Sequence, residues 1–255
     1  MRYLPPILRG SRFGGSPGQI VILAVIVLVA LLMFGGDPSP EGLARSARDL
    51  AVLLVAFVAS LTLHEYAHAS VATLLGDDTA RRMGRLTLDP RAHLDPLGTF
   101  MMVMTLILGF GLGWARPVPV NAWRLRPGPR VGMAIVAIAG PLMNLVLAFA
   151  AIRLSLGLVA TGADPVVKGV LNYFALINVV LAIFNMLPIP PLDGFRVLVG
   201  ILPEAPARSV AAIEPYGPMI LLLVIFMGSG LVGGIIRGVG YPLMRAMGSS
   251  IGGFG

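Results

Sequence analysis

The stretch LAVLLVAFVASLTLHEYAH, residues 50–68, ends an apolar run with the pattern H-E-x-x-H. On a helix, His64 and His68 are one turn apart, so both imidazoles leave the same face. Such a pair holds one zinc ion, with Glu65 beside it as a general base for a water molecule. Because ionisable residues are costly inside an apolar segment, they mark a functional site there. We therefore predict a metal-dependent site on this helix.

A second interpretation of the same residues is a buried, hydrogen-bonded cluster that joins membrane helices. The chain contains three histidines, and two of them form this pair. That usage favours metal binding over a general polar cluster. The chain has no cysteine, so nitrogen and oxygen atoms must supply the ligands.

Composition places the chain in a membrane. Hydrophobic residues make up 56% of the 255 residues, charged residues make up 12%, and the mean hydropathy is +0.88. A soluble globular domain does not tolerate this balance. In a membrane protein, the net charge of +7 predicts loop orientation and contact with anionic lipid. We expect a lipid bilayer and no nucleic acid as partner.

A bilayer crossing needs about 20 apolar residues. Six segments are candidates, namely 19–34, 50–75, 97–114, 131–160, 166–187 and 216–236. We interpret the first as a retained anchor, because no A-x-A cleavage pattern follows Phe34. The glycine-rich last one forms a C-terminal helix or hairpin within 214–247. The sequence thus predicts an all-α polytopic membrane protein, a single membrane domain over 1–255 with five to six transmembrane helices.

Eight arginines border the segment 97–114, four between His68 and Leu97 and four between Trp114 and Val131. Arginine-rich loops face the cytoplasm, so both flanks are expected there. The segment then enters and returns as a re-entrant or interfacial element. By the same rule, the three arginines before residue 19 predict a cytoplasmic N-terminus in a multi-pass protein of the cell membrane.

A catalytic zinc site needs a third protein ligand and an open position. The candidate is Asp193, in the stretch NMLPIPPLDG at 185–194. Prolines end the preceding helix, so this extended segment must line protein or a wet cavity. An ordinary Asp-Gly turn after a proline-rich helix end is the alternative.

Taken together, H-E-x-x-H at 64–68, N-x-x-P-x-P-x-L-D-G at 185–194 and AGPLMN at 139–144 resemble the site-2 protease family, peptidase family M50. The resemblance covers roughly 52–199 and is to small bacterial members without a PDZ or CBS domain. It implies an intramembrane zinc metalloprotease with a three-helix catalytic core, placed at 50–199. It also implies His64, His68 and Asp193 as Zn²⁺ ligands, Glu65 as catalytic base and Asn185 near the scissile carbonyl.

The metal geometry constrains the topology independently. His68 lies near one end of its helix, and Asp193 must reach the same ion. The intervening chain must therefore cross the membrane an even number of times, and 131–160 and 166–187 supply two crossings. A crossing by 97–114 would leave Asp193 on the wrong side.

Several further residues have open alternatives. Asn144, like Asn178, either lines the substrate cleft or bonds between helices. His93 is an accessory ligand or, as we favour, a histidine that caps local turns. Gly140 beside Pro141 indicates a close helix approach or a kink.

The function expected is hydrolysis of a peptide bond within or near a transmembrane segment of a membrane-protein substrate. The alternatives are a catalytically inactive relative acting as a membrane chaperone, and a metal or proton transporter. A transporter would carry further ionisable residues in its other spans, and these spans show few. The identity of the substrate and the oligomeric state do not follow from the residues.

Overall fold

The computed structural model describes residues 39–95, 116–160, 162, 164–227 and 229–249. Regular structure in these ranges is helical. The helices are α1 (Pro40–Leu74), α2 (Thr79–Arg82), α3 (Pro129–Ala160), α4 (Pro165–Asn185), α5 (Asp193–Ile201), α6 (Glu204–Ala211), α7 (Gly217–Met227), α8 (Ser229–Ile235) and α9 (Tyr241–Ala246). The chain divides into two compact units, Met1–Leu50 and Ala51–Gly255, and the site described below belongs to the second.

Four stretches of the described residues are long and apolar enough to cross a membrane. They are Ala47–Leu74, Pro129–Leu158, Pro165–Asn185 and Glu204–Val224. This confirms the prediction of an all-α polytopic membrane protein. The expected anchor at 19–34 and the expected re-entrant segment at 97–114 lie outside the described residues.

A glycine with a left-handed backbone follows the end of helix α1. Gly76 has a φ of 106°, which residues with a side chain rarely adopt. The amides of Gly76 and Asp77 turn back to the carbonyls of Thr73 and Ala72, at 3.1 and 2.9 Å. These bonds satisfy carbonyls that the helix end leaves open. The turn directs the following loop back along the end of α1.

Asp77 organises the loops at this end of α1. Its fully buried carboxylate accepts from the Thr79 amide at 3.1 Å and from the Asn121 amide at 2.6 Å. Burial alone would raise the pKa of Asp77, but hydrogen bonds from Thr79 and Asn121 hold it below its ordinary value. The carboxylate thus stays ionised and joins residues that are 44 positions apart.

The two flanks of the segment 97–114 meet at the same end of α1. The Arg116 amide donates to the His93 carbonyl at 2.7 Å, and the Arg126 amide donates to the Leu75 carbonyl at 2.9 Å. Arg124 forms an ion pair with Asp78 at 2.7 Å. The described residues on either side of the segment therefore lie close together, and its re-entrant course stays a prediction.

Small residues allow the core helices to pack closely. Ala148, Ala151 and Ile152 of α3 pack against Ala175 and Val179 of α4 in one buried cluster. Helix α5 lies against α3, where a Cβ added at Gly200 would overlap the Cβ of Ala134. Close approach of this kind is how helices associate in lipid. It also brings the start of α5 to the histidines of α1.

The C-terminal part of the chain is a series of short helices. Within the predicted range 214–247, α7 precedes Gly228, and α8, a short stretch with wider helical turns at Ile236–Gly240 and α9 follow it. Met244 of α9 is 1% exposed and packs into the cluster between α3 and α4. The C-terminal membrane helix or hairpin at 214–247 stays a prediction.

Candidate metal centre

The two histidines of the pattern share one buried face of α1. His64 and His68 are 4% and 7% exposed, and their Nε2 atoms lie 3.0 Å apart. Helical spacing alone produces this convergence, because the residues are four positions apart. The sequence prediction for the pair rests on this local geometry.

Asp193 reaches the same point from the first turn of α5. Pro188, Pro190 and Pro191 interrupt the helical pattern after α4, and the chain folds back on itself. A Cβ at Gly194 would lie 2.6 Å from the Leu187 carbonyl oxygen, so the turn accepts only glycine there. The glycine after Asp193 is therefore required by the turn, and the turn directs the Asp193 carboxylate toward α1.

Three atoms that can each offer a lone pair meet in this centre. Asp193 Oδ2 lies 3.2 Å from the Nε2 atoms of both His64 and His68. The Nδ1 atoms of these rings face acceptors, Asn144 Oδ1 at 2.6 Å and the Val136 carbonyl at 2.7 Å. In a neutral imidazole with Nδ1 protonated, Nε2 presents its lone pair.

This donor set fits a zinc ion. His64, His68 and Asp193 form the group of possible metal ligands found in the described residues, with ligand atoms within 4.8 Å of one another. Among the residues that the structure describes, none donates a hydrogen bond to the buried Oδ2 atom of Asp193. Two imidazoles and one carboxylate match the protein ligands of catalytic zinc sites. A cation explains why three lone pairs converge in a buried place.

Glu65 lies beside the centre and is held by the loop that contains Val118. Its side chain is 8% exposed, and its Oε2 accepts from the Val118 amide at 3.1 Å. Arg85 is a second neighbour with a buried side chain. Burial lowers the pKa of Arg85 and nearby Arg116 lowers it further, while the Glu65 carboxylate raises it. The Glu65 carboxylate thus lies beside the possible metal ligands without being one of them.

Gly140 gives the centre its space on the α3 side. A Cβ at this position would lie 2.6 Å from His64 Nε2 and would also overlap His68 Nε2. Pro141 follows within the same helix and cannot donate to the Ala137 carbonyl. The close helix approach indicated by this Gly-Pro pair is thus made against both imidazoles.

Gly140→Ala is expected to abolish or strongly weaken zinc binding, because the added methyl group displaces both imidazoles. Zinc content of the purified protein and its melting temperature are the measurements. The matched control is Gly157→Ala on the same helix, where an added Cβ meets nothing within 4 Å. That control should keep its zinc. Equal zinc content in both variants would contradict the geometry.

The remaining predicted residues are placed as follows. Asn144 is fully buried and bonds His64 and Asn178, so its amide is engaged within the protein. Asn185 donates to the Leu181 carbonyl of its own helix at 3.0 Å. His93 is 1% exposed and donates from Nε2 to the Thr87 carbonyl at 2.8 Å. This geometry favours the turn-capping role for His93.

Sequence reasoning missed Arg85 and Val118, which lie near Glu65. It also missed Ser60, whose hydroxyl oxygen accepts from Asn178 at 2.8 Å. A serine in an apolar run is common, because its hydroxyl bonds the carbonyl one turn back. The Arg85 side chain was counted as a topology signal among other arginines. Val118 contributes a backbone amide, which leaves no mark in a side-chain pattern.

Comparison with known proteins identifies relatives of this chain. The model of Peptidase family M50 matches residues 160–226. The chain is 43% identical over 181 residues to "Putative zinc metalloprotease YwhC" of Bacillus subtilis, covering 69% of this chain and 80% of that protein. It is 32% identical to "Putative zinc metalloprotease Rip2" of Mycobacterium tuberculosis, over 78% of this chain and 75% of the relative.

An archaeal relative extends the comparison. The chain is 33% identical to "Putative zinc metalloprotease MJ0611" of Methanocaldococcus jannaschii, over 74% of this chain and 87% of the relative. No solved structure matches the chain significantly. The relatives, the family model and the two-histidine, one-carboxylate group support Zn²⁺ as the cofactor. The chain belongs to peptidase family M50 and is a zinc metalloendopeptidase embedded in a membrane.

Proposed function

We propose that this protease hydrolyses a peptide bond within or near a transmembrane segment of a membrane-protein substrate. The observation that carries the proposal is the position of the metal centre. His64, Glu65 and His68 are buried on α1 within Ala47–Leu74, a stretch long and apolar enough to cross a membrane. A site on such a helix is placed to meet peptide bonds that are themselves at membrane depth.

In this proposal His64, His68 and Asp193 hold zinc, and Glu65 is the general base. Zinc bound there supplies a Lewis acid that polarises a carbonyl group and makes water more acidic. Glu65 accepts a proton from that water and passes it to the leaving amine. The Val118 amide keeps the Glu65 carboxylate oriented, at 3.1 Å from Oε2. Asn185 is proposed to stand near the scissile carbonyl.

Residues 116–120, which lie outside the helices, are a proposed edge for an unwound substrate. A helix hides its own amides, so the substrate must open locally before attack, and an extended strand offers bonds to it. Two amides of this edge are already used, Arg116 toward His93 and Val118 toward Glu65. The substrate would therefore bond chiefly to carbonyl groups of this segment.

Transport of metal ions or protons has less support. A transit path needs ionisable residues on both sides of the centre. In the described part of α4, Lys168 lies in the first turns, near the Asp164 cap. In α3, Arg130 lies in the first turn and Arg153 is exposed near the other end, 6.0 Å from the Phe149 ring. No line of such residues leads away from His64 in these two helices.

Cells that carry Glu65→Gln should accumulate uncut membrane-protein fragments that disappear when the native glutamate is restored. The measurement is quantitative proteomics of membrane-embedded stubs. The matched control is Glu204→Gln, which alters an exposed glutamate paired with Arg208. Identical stub profiles in all three strains would argue against proteolysis of membrane segments. A change confined to soluble proteins would refute the intramembrane substrate while leaving the protease.

The proposed topology puts the N-terminus and both flanks of 97–114 in the cytoplasm. The chain lacks cysteine, so single cysteines at Arg91, Arg124 and Asp164 report cleanly on side. A membrane-impermeant thiol reagent should leave the cysteines at 91 and 124 unlabelled in intact cells and label them after lysis. Asp164, exposed at the opposite turn between α3 and α4, should label from outside.

Two outcomes of this labelling would overturn parts of the proposal. Labelling of both flanks from outside, with residue 164 protected, would invert the orientation. Labelling of one flank alone would contradict the meeting of Arg116 and His93 at 2.7 Å and the even-crossing argument with it.

A further inference from the structure

A chain of polar side chains runs from the metal centre into the helix core. His64 Nδ1 faces Asn144 Oδ1 at 2.6 Å, and Asn144 Nδ2 donates to Asn178 Oδ1 at 2.8 Å. Asn178 Nδ2 in turn donates to Ser60 Oγ at 2.8 Å. Ser60, Asn144 and Asn178 are fully buried. This series of hydrogen-bonded side chains starts and ends on α1 and passes through α3 and α4.

The far end of this chain has a defined polarity. Ser60 donates its hydroxyl hydrogen to the Ala56 carbonyl at 2.7 Å, so it presents lone pairs to Asn178. Asn178 Nδ2 also donates to the Phe174 carbonyl at 2.8 Å, and a carbonyl only accepts. The amide of Asn178 must therefore keep Nδ2 on this side and Oδ1 toward Asn144.

The polarity is transmitted to the imidazole. Because Asn178 Oδ1 needs a donor, Asn144 turns Nδ2 toward it and Oδ1 toward His64. An oxygen facing His64 Nδ1 requires the proton on that nitrogen, which leaves the lone pair on Nε2. A flipped Asn144 amide would favour the other tautomer, with a hydrogen on Nε2 where the metal should bind.

We propose that Asn178, supported by Ser60, is a positioning residue that sets the tautomer and ring orientation of His64 through Asn144. The inference rests on the proposed role of His64 as a zinc ligand. His68 needs no such chain, because the Val136 carbonyl fixes its Nδ1 directly at 2.7 Å. One zinc ligand is thus oriented by backbone and the other by three side chains.

A clamp between helices is the competing role for the same residues. Satisfied polar networks rigidify buried cores, so removing one lowers stability even without any effect on a metal. The two roles differ in what they change. A clamp alters the melting temperature of the metal-free protein, whereas a positioning residue also alters zinc affinity and ligand geometry in the molecules that are folded.

The test measures zinc affinity by chelator competition, and the absorption spectrum of the cobalt-substituted protein, on the purified full-length chain. Asn178→Leu should weaken zinc binding by up to about 10- to 100-fold, the range for removing a direct partner of a metal ligand such as Asn144. Its cobalt spectrum should shift as well. Asn144→Leu should do the same, while Asn144→Asp keeps an oxygen toward His64 Nδ1 and should restore the spectrum.

Serine variants keep the test decisive if Asn178→Leu does not fold. Ser60→Ala should weaken zinc binding measurably, although less than Asn178→Leu, because the Phe174 carbonyl still orients Asn178. Ser70→Ala is the matched control, because Ser70 donates to the Tyr66 carbonyl on the same helix at 2.7 Å. Ser70 takes no part in the hydrogen bonds that lead from Ser60 to His64. It should leave zinc affinity and spectrum unchanged.

The outcomes separate this inference from the metal assignment. If the unaltered protein binds zinc through His64 but Asn178→Leu, or Ser60→Ala in its place, has native affinity and spectrum, the positioning role is wrong. A lower melting temperature alone would leave only the clamp. If His64→Ala also keeps native zinc affinity, the assignment of the metal centre fails, and the inference fails with it.

Discussion

Purified Asp193→Ala protein should contain almost no zinc, whereas the unaltered protein should carry about one zinc ion per chain. The reason is that Asp193 contributes the carboxylate in a group of three ligand atoms, with Oδ2 3.2 Å from both imidazole Nε2 atoms. Two buried imidazoles alone lack the negative charge and the third bond. His68→Ala should lose zinc equally. Elemental analysis of the protein gives the zinc content.

An exposed carboxylate outside the group of ligand atoms provides the control for this loss. Asp49→Ala removes an exposed carboxylate that pairs with Arg48 at 3.1 Å and should keep its zinc. Stoichiometric zinc in a double variant that carries both His68→Ala and Asp193→Ala would contradict the assignment of both residues as ligands. Retention by Asp193→Ala alone would mean that another residue is the third ligand.

Glu65→Gln should lower the rate of peptide-bond hydrolysis at least about 100-fold, the usual range for a general base. Zinc should stay bound, because Glu65 is outside the group of ligand atoms and its Oε2 bonds the Val118 amide. Glutamine has the same shape and keeps an oxygen for that amide, so the surrounding structure should persist. The two readouts are turnover and zinc content of the same preparation.

Turnover is best measured on a membrane substrate found by the stub comparison, reconstituted with the protease in lipid vesicles. Glu204→Gln should cleave at the native rate. Substantial turnover by Glu65→Gln with full zinc would mean that a different group takes the proton. Loss of zinc together with activity would make Glu65 a determinant of the metal site instead.

Composition and the local spacing of residues determined what the sequence predicts by itself about this protein. The assignment to the class of membrane proteins follows from composition, because a chain with 12% charged residues and long apolar runs is suited to a bilayer. The pairing of His64 with His68 follows from helical periodicity alone. The prolines and Asp-Gly at 188–194 likewise predict a turn whatever surrounds it, and the model of the family matches there.

The meeting of separate segments was decided by the tertiary structure. Gly140 against both imidazoles and Val118 on Glu65 join residues far apart in the chain, through helix packing and loop contacts. Asn144 illustrates the limit well. The sequence left it either in the substrate cleft or between helices, and only the packing of α3 against α1 and α4 put its amide between His64 and Asn178.

The physical reason is the range of the interactions. Helix periodicity and proline stereochemistry act within a few residues, so a pattern in the sequence reports them directly. A buried polar group must find a partner, but its sequence does not say on which helix that partner lies. Ser60 and Asn178, 118 positions apart, became neighbours only when α1 and α4 packed together. The ligand types were readable in the chain, while their orientation belongs to the fold.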